Sequence, residues 1–163
     1  MNNMPKKVSI WVLLAALAAM AMGCCQKKAG VEEAGKAYQS GDFKKAASIF
    51  APEAEKGNPE AQVNLAFMYY CGMHVEKSYE KAAEWYKKAA DQNNVTAQFS
   101  LGTLYENGEG VKKDLEEAYF WYSLAENQGD KDSRRLRQEL EQQLSKNQVS
   151  GQKKRISGWK PAR

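Results

Sequence analysis

Few residues in this chain could carry covalent chemistry. It has one histidine, His74, and three cysteines, Cys24, Cys25 and Cys71. Hydrolysis needs a nucleophile with a base in reach, or a bound metal. No Ser-x-x-Lys accompanied by supporting motifs appears, and no cluster of metal-ligand spacing. Ser133 and Ser145 stand where helix starts already account for them. A metal or acid–base role for His74 would require partners that the sequence does not supply. No catalytic residue, metal ligand or cofactor motif is therefore assigned. The one cysteine whose place suggests a reaction is Cys24. It follows Gly23 directly, at the exit of an apolar run from Val8 to Met22 that Lys6 and Lys7 precede.

A basic head, a short apolar core and small residues at its exit make a secretory signal. A membrane span would need about 20 apolar residues. Gly23-Cys24 resembles the lipobox of bacterial lipoproteins, in which the cysteine thiol takes a diacylglyceryl group and becomes the mature N-terminus. The resemblance implies a signal peptide over 1–23, a lipidated flexible leader over 24–30 and Cys24 as the attachment point. Ala21 and Met22 depart from the usual pattern. Ala19-Met20-Ala21 offers the alternative of ordinary cleavage, leaving a soluble periplasmic or secreted chain. The residue after Cys24 is Cys25, not the Asp that resembles an inner-membrane retention signal. That points to an outer membrane lipoprotein facing the periplasm. Cys25 and Cys71 could pair in such a compartment, although a free Cys71 is the simpler reading.

The elements that would position any site are visible as a repeat. Shifted by 36 residues, Asn58–Asn93 aligns with Asn94–Gly129 without a gap. Identical pairs include Ala61/Ala97, Leu65/Leu101, Tyr69/Tyr105, Gly72/Gly108, Trp85/Trp121 and Tyr86/Tyr122. Such a period signals an array whose units bury their apolar faces by stacking. Helix-start residues recur in the same phase: Asp42, Ser78 and Asp114 form one series, and Asn58, Asn94 and Asp130 a second. Two series mean two helices per unit. First helices are predicted at about 31–40, 58–71 and 94–107, and second helices at about 43–56, 79–92 and 115–128. Asp114 with Glu117 reads as a capping box, as does Ser145 with Gln148. Trp85, Tyr86, Trp121 and Tyr122 fall on the apolar stripe of the second helices, where core packing rather than ligand stacking accounts for them. Gly110, and His74 in its place one repeat earlier, suit left-handed backbone.

Residues 130–163 break the pattern. Tyr105 becomes Glu141 and Leu101 becomes Arg137, leaving Leu136, Leu140 and Leu144 as a narrow stripe. A terminal capping helix should look like this. A last helix over 146–159 follows Ser145, seated by Val149, Ile156 and Trp159 and weakened by Gly151.

The pattern A-x3-L-[GA]-x2-Y-x2-G-x-[GH]-V-x7-A-x2-W-Y-x2-A resembles the Sel-one-like repeat, a cousin of the tetratricopeptide repeat with a longer turn. The two full copies cover 58–129, and an abbreviated copy extends the array back to residue 31. The resemblance implies an all-α, right-handed α-solenoid of helix-turn-helix repeats over 31–129, with C-terminal capping helices and a basic tail over 130–163. It also implies a concave surface lined by first helices, and a role as an adaptor that holds other proteins. Tetratricopeptide-like phasing puts Val63, Phe67, Tyr70, Phe99, Thr103 and Glu106 on that surface as the partner-binding set, with Glu60, Thr96 and Tyr38 in phase. An exported, cysteine-rich branch linked to β-lactams carries a cysteine pair in each repeat. Here only Cys71 lies in a repeat, so that activity is not carried over.

Charge is unevenly placed. Residues 24–130 hold 12 Lys and Arg against 17 Asp and Glu, and residues 131–163 hold 10 against 3. Nucleic acid is a poor partner for an exported chain. Lys153, Lys154, Arg155 and Lys160 are instead expected to meet an acidic partner or anionic lipid. The reading that results is a non-catalytic protein- or peptide-binding adaptor of the cell envelope. The alternative is an envelope hydrolase acting on β-lactam or cell-wall amide bonds.

Overall fold

Six side-chain caps, spaced as the repeat demands, set where the helices begin. The computed structural model describes residues 30–162. The expected signal peptide, Cys24 and Cys25 thus lie outside the described residues. Helix α1 occupies 30–39. It is followed by α2 (Phe43–Glu55), α3 (Pro59–Cys71), α4 (Tyr79–Asp91), α5 (Val95–Asn107), α6 (Leu115–Asn127), α7 (Lys131–Glu141) and α8 (Lys146–Gly158). Asp42, Asn58, Ser78, Asn94, Asp114 and Asp130 each accept a backbone N–H from the first turn that follows. The Ser145–Gln148 capping box forms in full. The one expected at Asp114 forms by half: Asp114 accepts the Glu116 and Glu117 amides, but the Glu117 carboxylate turns away to Arg155 of α8.

The fold is an all-α solenoid. α3 packs on α4 and α5 on α6 within the units, while α2–α3, α4–α5 and α6–α7 contacts join one unit to the next. Ala82, Ala89, Ala118 and Ala125 are fully buried and let the helix backbones approach. Trp121 is buried to 1% exposure. Trp85, expected to be buried in the same way, is only half-buried; its outer face is covered by the Lys88 ammonium, 3.7 Å from the ring centroid, instead of by another helix. His74 takes the left-handed conformation (φ 59°) that Gly110 adopts one repeat later (φ 68°). Gly110 is more constrained, because a Cβ there would lie 2.1 Å from the Tyr79 carbonyl oxygen.

A second, polar periodicity runs through the array. Gln62 and Gln98, 36 residues apart, are buried on α3 and α5. Each donates to a carbonyl at the end of the preceding second helix, Ala54 at 3.1 Å and Ala90 at 3.3 Å. Each accepts from a glutamine that ends the second helix of its own unit, Gln92 at 2.8 Å and Gln128 at 2.7 Å. The glutamines thereby add a side-chain bond across each unit boundary to carbonyls that also accept the Gly57 and Asn93 N–H groups. One repeat further on, the corresponding residues are Arg134 and Glu126, and they form an ion pair at 3.1 Å.

The array ends as a cap should. α7 stops at Glu141, before the last leucine of the stripe, with Leu140 fully buried and Leu136 and Leu144 at the edge. α8 then folds back onto α6. Val149 is buried there, and Ile156 and Trp159 pack against the core. Gly151 has open space around it, so the helix runs through it unhindered. Beyond α8 the backbone reaches back to α4, where the Ala162 N–H donates to the Asp91 carbonyl at 2.7 Å.

Candidate functional site

The first helices place one aromatic side chain in solvent. Phe67 of α3 is 40% exposed, the single large hydrophobic residue so exposed among the described residues. It stands on α3 because the buried face of that helix is already filled by Ala61, Leu65, Ala66 and Met68. The same rotation puts Tyr70 one turn further on, and α5 repeats the phase with Phe99 and Thr103.

These four residues come together. Phe67, Tyr70, Phe99 and Thr103 line a recess of about 130 Å³, completed by Tyr86, Ser100 and Leu104. Tyr38 extends it towards α1, its ring edge-on to Phe67 with centroids 6.4 Å apart. At the other end Phe99 meets Tyr122 at 5.9 Å. Two carboxylates border the aromatic strip. Glu109 accepts the Tyr70 hydroxyl at 3.2 Å, and Glu106 accepts that of Tyr122 at 2.8 Å. The Thr103 and Tyr122 hydroxyls lie 3.1 Å apart. Val63 does not line the recess; like Tyr70 it is half-buried and packs against the central core cluster.

Burial shifts the phenols upward. Tyr86 is pushed up to about 12 by desolvation, with a Ser100 hydrogen bond acting in the opposite direction. Tyr122 is raised for the same first reason, Thr103 opposing and Glu106 reinforcing. Tyr70 is raised by burial and then by its bond to Glu109. These rings are neutral donors and packing surfaces at ordinary pH.

Tyr86, Ser100 and Leu104 also line the recess and Tyr122 abuts Phe99, although none of them was chosen as a partner-facing residue. The two tyrosines were given to the core, and they do pack there. Trp121 and Tyr122 are both fully buried, in different core clusters, as adjacent helix positions about 100° apart allow. Gly102 explains how Tyr122 reaches the first-helix face: a Cβ at that glycine would lie 2.7 Å from the ring.

The basic tail divides. Lys153 pairs with Glu141 at 3.0 Å, and Arg155 forks onto Glu117 while lying 3.8 Å over the Phe120 ring. Lys154 and Lys160 are exposed. Among the described residues no group of His, Cys, Asp and Glu could hold a metal. Cys71 ends α3 as a free, exposed thiol. Ser78, three residues before Lys81, is used as the cap of α4. No helix of the described residues is long and apolar enough to cross a membrane.

Residues 59–94 and 95–130 each match the Sel1 repeat. A protective antigen of uropathogenic Escherichia coli, c5321, displaying an SLR fold, superposes with a TM-score of 0.77 at 28% identity over 82% of this chain and 29% of its own. A Sel1 repeat protein from Oxalobacter formigenes gives 0.63 at 33% identity, over 66% of this chain and 44% of its own. Helicobacter pylori cysteine rich protein B gives 0.57 over 68% of this chain and 94% of its own; at 22% identity it speaks for the fold alone. The chain thus spans less than half the length of the first two. No curated protein matches it in sequence. Proteins of this repeat class are in general protein-interaction scaffolds. Residues 59–130 are thus two consecutive Sel1 repeats, and the helix-pair solenoid is built on them.

Proposed function

We propose that this protein is a non-catalytic adaptor of the bacterial cell envelope that holds a protein or peptide on the concave face of its solenoid. The observation that carries this reading is the exposed Phe67 above a recess lined by Tyr70, Phe99 and Thr103. Partner sites join apolar anchors to a polar rim, and Glu106 and Glu109 supply that rim here. A photo-crosslinking residue at position 67 should capture a defined envelope partner, whereas one at Glu84, exposed on α4, should not. Equal capture from both positions would remove the concave face from consideration.

The location belongs to the same proposal. Cys24, lipidated after cleavage at Gly23, would tether the adaptor to the outer membrane with its repeats in the periplasm. Several acyl chains anchor stably where one does not. Mass spectrometry of the mature N-terminus should find a diacylglyceryl-modified Cys24. An unmodified chain beginning at Met22 would show a soluble export product instead.

A further inference from the structure

The first-helix face has a sign as well as a shape. α3 and α5 carry Glu60 and Glu106 and not one lysine or arginine, and Glu109 in the following turn adds a third acid. Among the described residues, none of these three carboxylates takes part in an ion pair. Two of them bond only a tyrosine hydroxyl. The acidic wall ends at α7, where Arg135 already pairs with Glu139 at 2.9 Å.

Among the described residues no cationic head lies over a ring of the recess, although several rings elsewhere carry one. Lysine or arginine heads lie over six aromatic rings, at 3.7 to 5.6 Å from their centroids, and none of those rings lines the recess. Arg155 shows the full arrangement: the guanidinium lies on Phe120 and forks onto both oxygens of Glu117. The recess offers the same two parts, aromatic faces in Phe67, Tyr70 and Phe99 and carboxylates in Glu106 and Glu109.

Taking the first-helix face as the partner surface, we propose that this recess seats an arginine side chain from a basic, extended segment of the protein partner. Arginine suits the parts better than lysine. Its planar, weakly hydrated guanidinium stacks on rings and forks onto carboxylates, while its methylene stem fills an apolar slot. Unneutralised acids around the slot attract a basic segment and repel an acidic one.

The test titrates the full chain with three labelled peptides of equal length. Each has a Gly-Ser backbone with flanking lysines and a central Arg, Leu or Glu, and anisotropy is the readout. The Arg peptide should bind best and weaken as salt rises. Glu106→Gln with Glu109→Gln should weaken it about tenfold, the scale of one charge-assisted hydrogen bond. Phe67→Ala should weaken it similarly, and Glu55→Gln on the exposed side of α2 should not. If the Leu peptide binds as well, ignores the Glu variants and still needs Phe67, the arginine assignment is wrong while the concave face stands. If no peptide binds, or binding ignores Phe67, the assignment fails as well, and crosslinking at position 67 decides the face independently. Melting curves verify that each variant is folded, and the isosteric Glu→Gln pair keeps the test intact should Phe67→Ala unfold.

Discussion

Trp121 and Phe67 are both aromatic and both lie on repeat helices, yet their surroundings are opposite. Trp121 is enclosed, with Phe120 edge-on at 4.9 Å. Trp121→Ala should cost roughly 3–5 kcal/mol in urea unfolding, the range for a large buried ring. Trp85→Ala should cost clearly less, about 1–2 kcal/mol, because its ring is already partly exposed beneath Lys88. Phe67→Ala removes a ring that packs against little, so melting should hardly change. Partner capture should fall roughly 30-fold, for an anchor worth about 2 kcal/mol. Phe99→Ala should lower both, since Phe99 also packs on the C-terminal cluster. Tyr86 adds a pH dependence. Its folded pKa is raised to about 12, so the unfolded chain releases that proton first, near 10. Stability is therefore complete below about 10 and declines as pH rises towards 12. Alkaline unfolding followed by circular dichroism should shift to higher pH in Tyr86→Phe.

At the scale of the helices, the glutamine clasps join units that apolar contacts alone would leave free to slide. Gln98→Ala removes the donor to Ala90 and the acceptor for Gln128 in one change. It should destabilise by about 1 kcal/mol, the net scale of an intramolecular hydrogen bond, because the Ala90 carbonyl and the Gln128 amide keep other partners. The midpoint of chemical unfolding would register this, and Gln138→Ala, exposed on α7, is the comparison that should not move. The helices themselves were legible because caps and apolar residues repeat in phase: every predicted helix lies within a few residues of its observed limits. The clasps were equally periodic, as Gln62/Gln98 and Gln92/Gln128, but a search for apolar period passes over polar residues. Of the residues chosen for the surface, Phe67, Tyr70, Phe99 and Thr103 line the recess, and Glu106 stands at its edge. Val63 fell short because a helix face turns gradually, and its position lies where that face meets the core. Tyr86 entered the recess from a second helix, a contact between helices that no single-helix periodicity contains.

For the whole molecule, the split between an acidic array and a basic end proves to be partly an internal contact. Lys153 and Arg155 are spent on Glu141 and Glu117, and Gln148 and Gln152 both reach Glu116. Lys154 and Lys160 are left for an outside charge. Lys154→Gln with Lys160→Gln should leave melting unchanged and flatten the salt dependence of binding to a partner or to anionic vesicles. A chain that stops at Ser145 should behave otherwise, because Tyr119, Phe120 and Leu140 would lose α8 as cover. It should melt well below the full chain and bind a hydrophobic dye.

The bond from Ala162 to Asp91 has a mechanical consequence. A stack of helix pairs is an elastic strip that bends a little at every joint. Here the last helix packs on α6, and the segment after it is bonded to the end of α4, two helices further back. The strip is splinted along α4 to α6, and its remaining compliance is concentrated at α1 and α2. Amide hydrogen exchange should accordingly be slowest in α5 and α6 and fastest in α1. Ala162→Pro, which deletes the pinning N–H, should speed exchange near the end of α4 without altering that order.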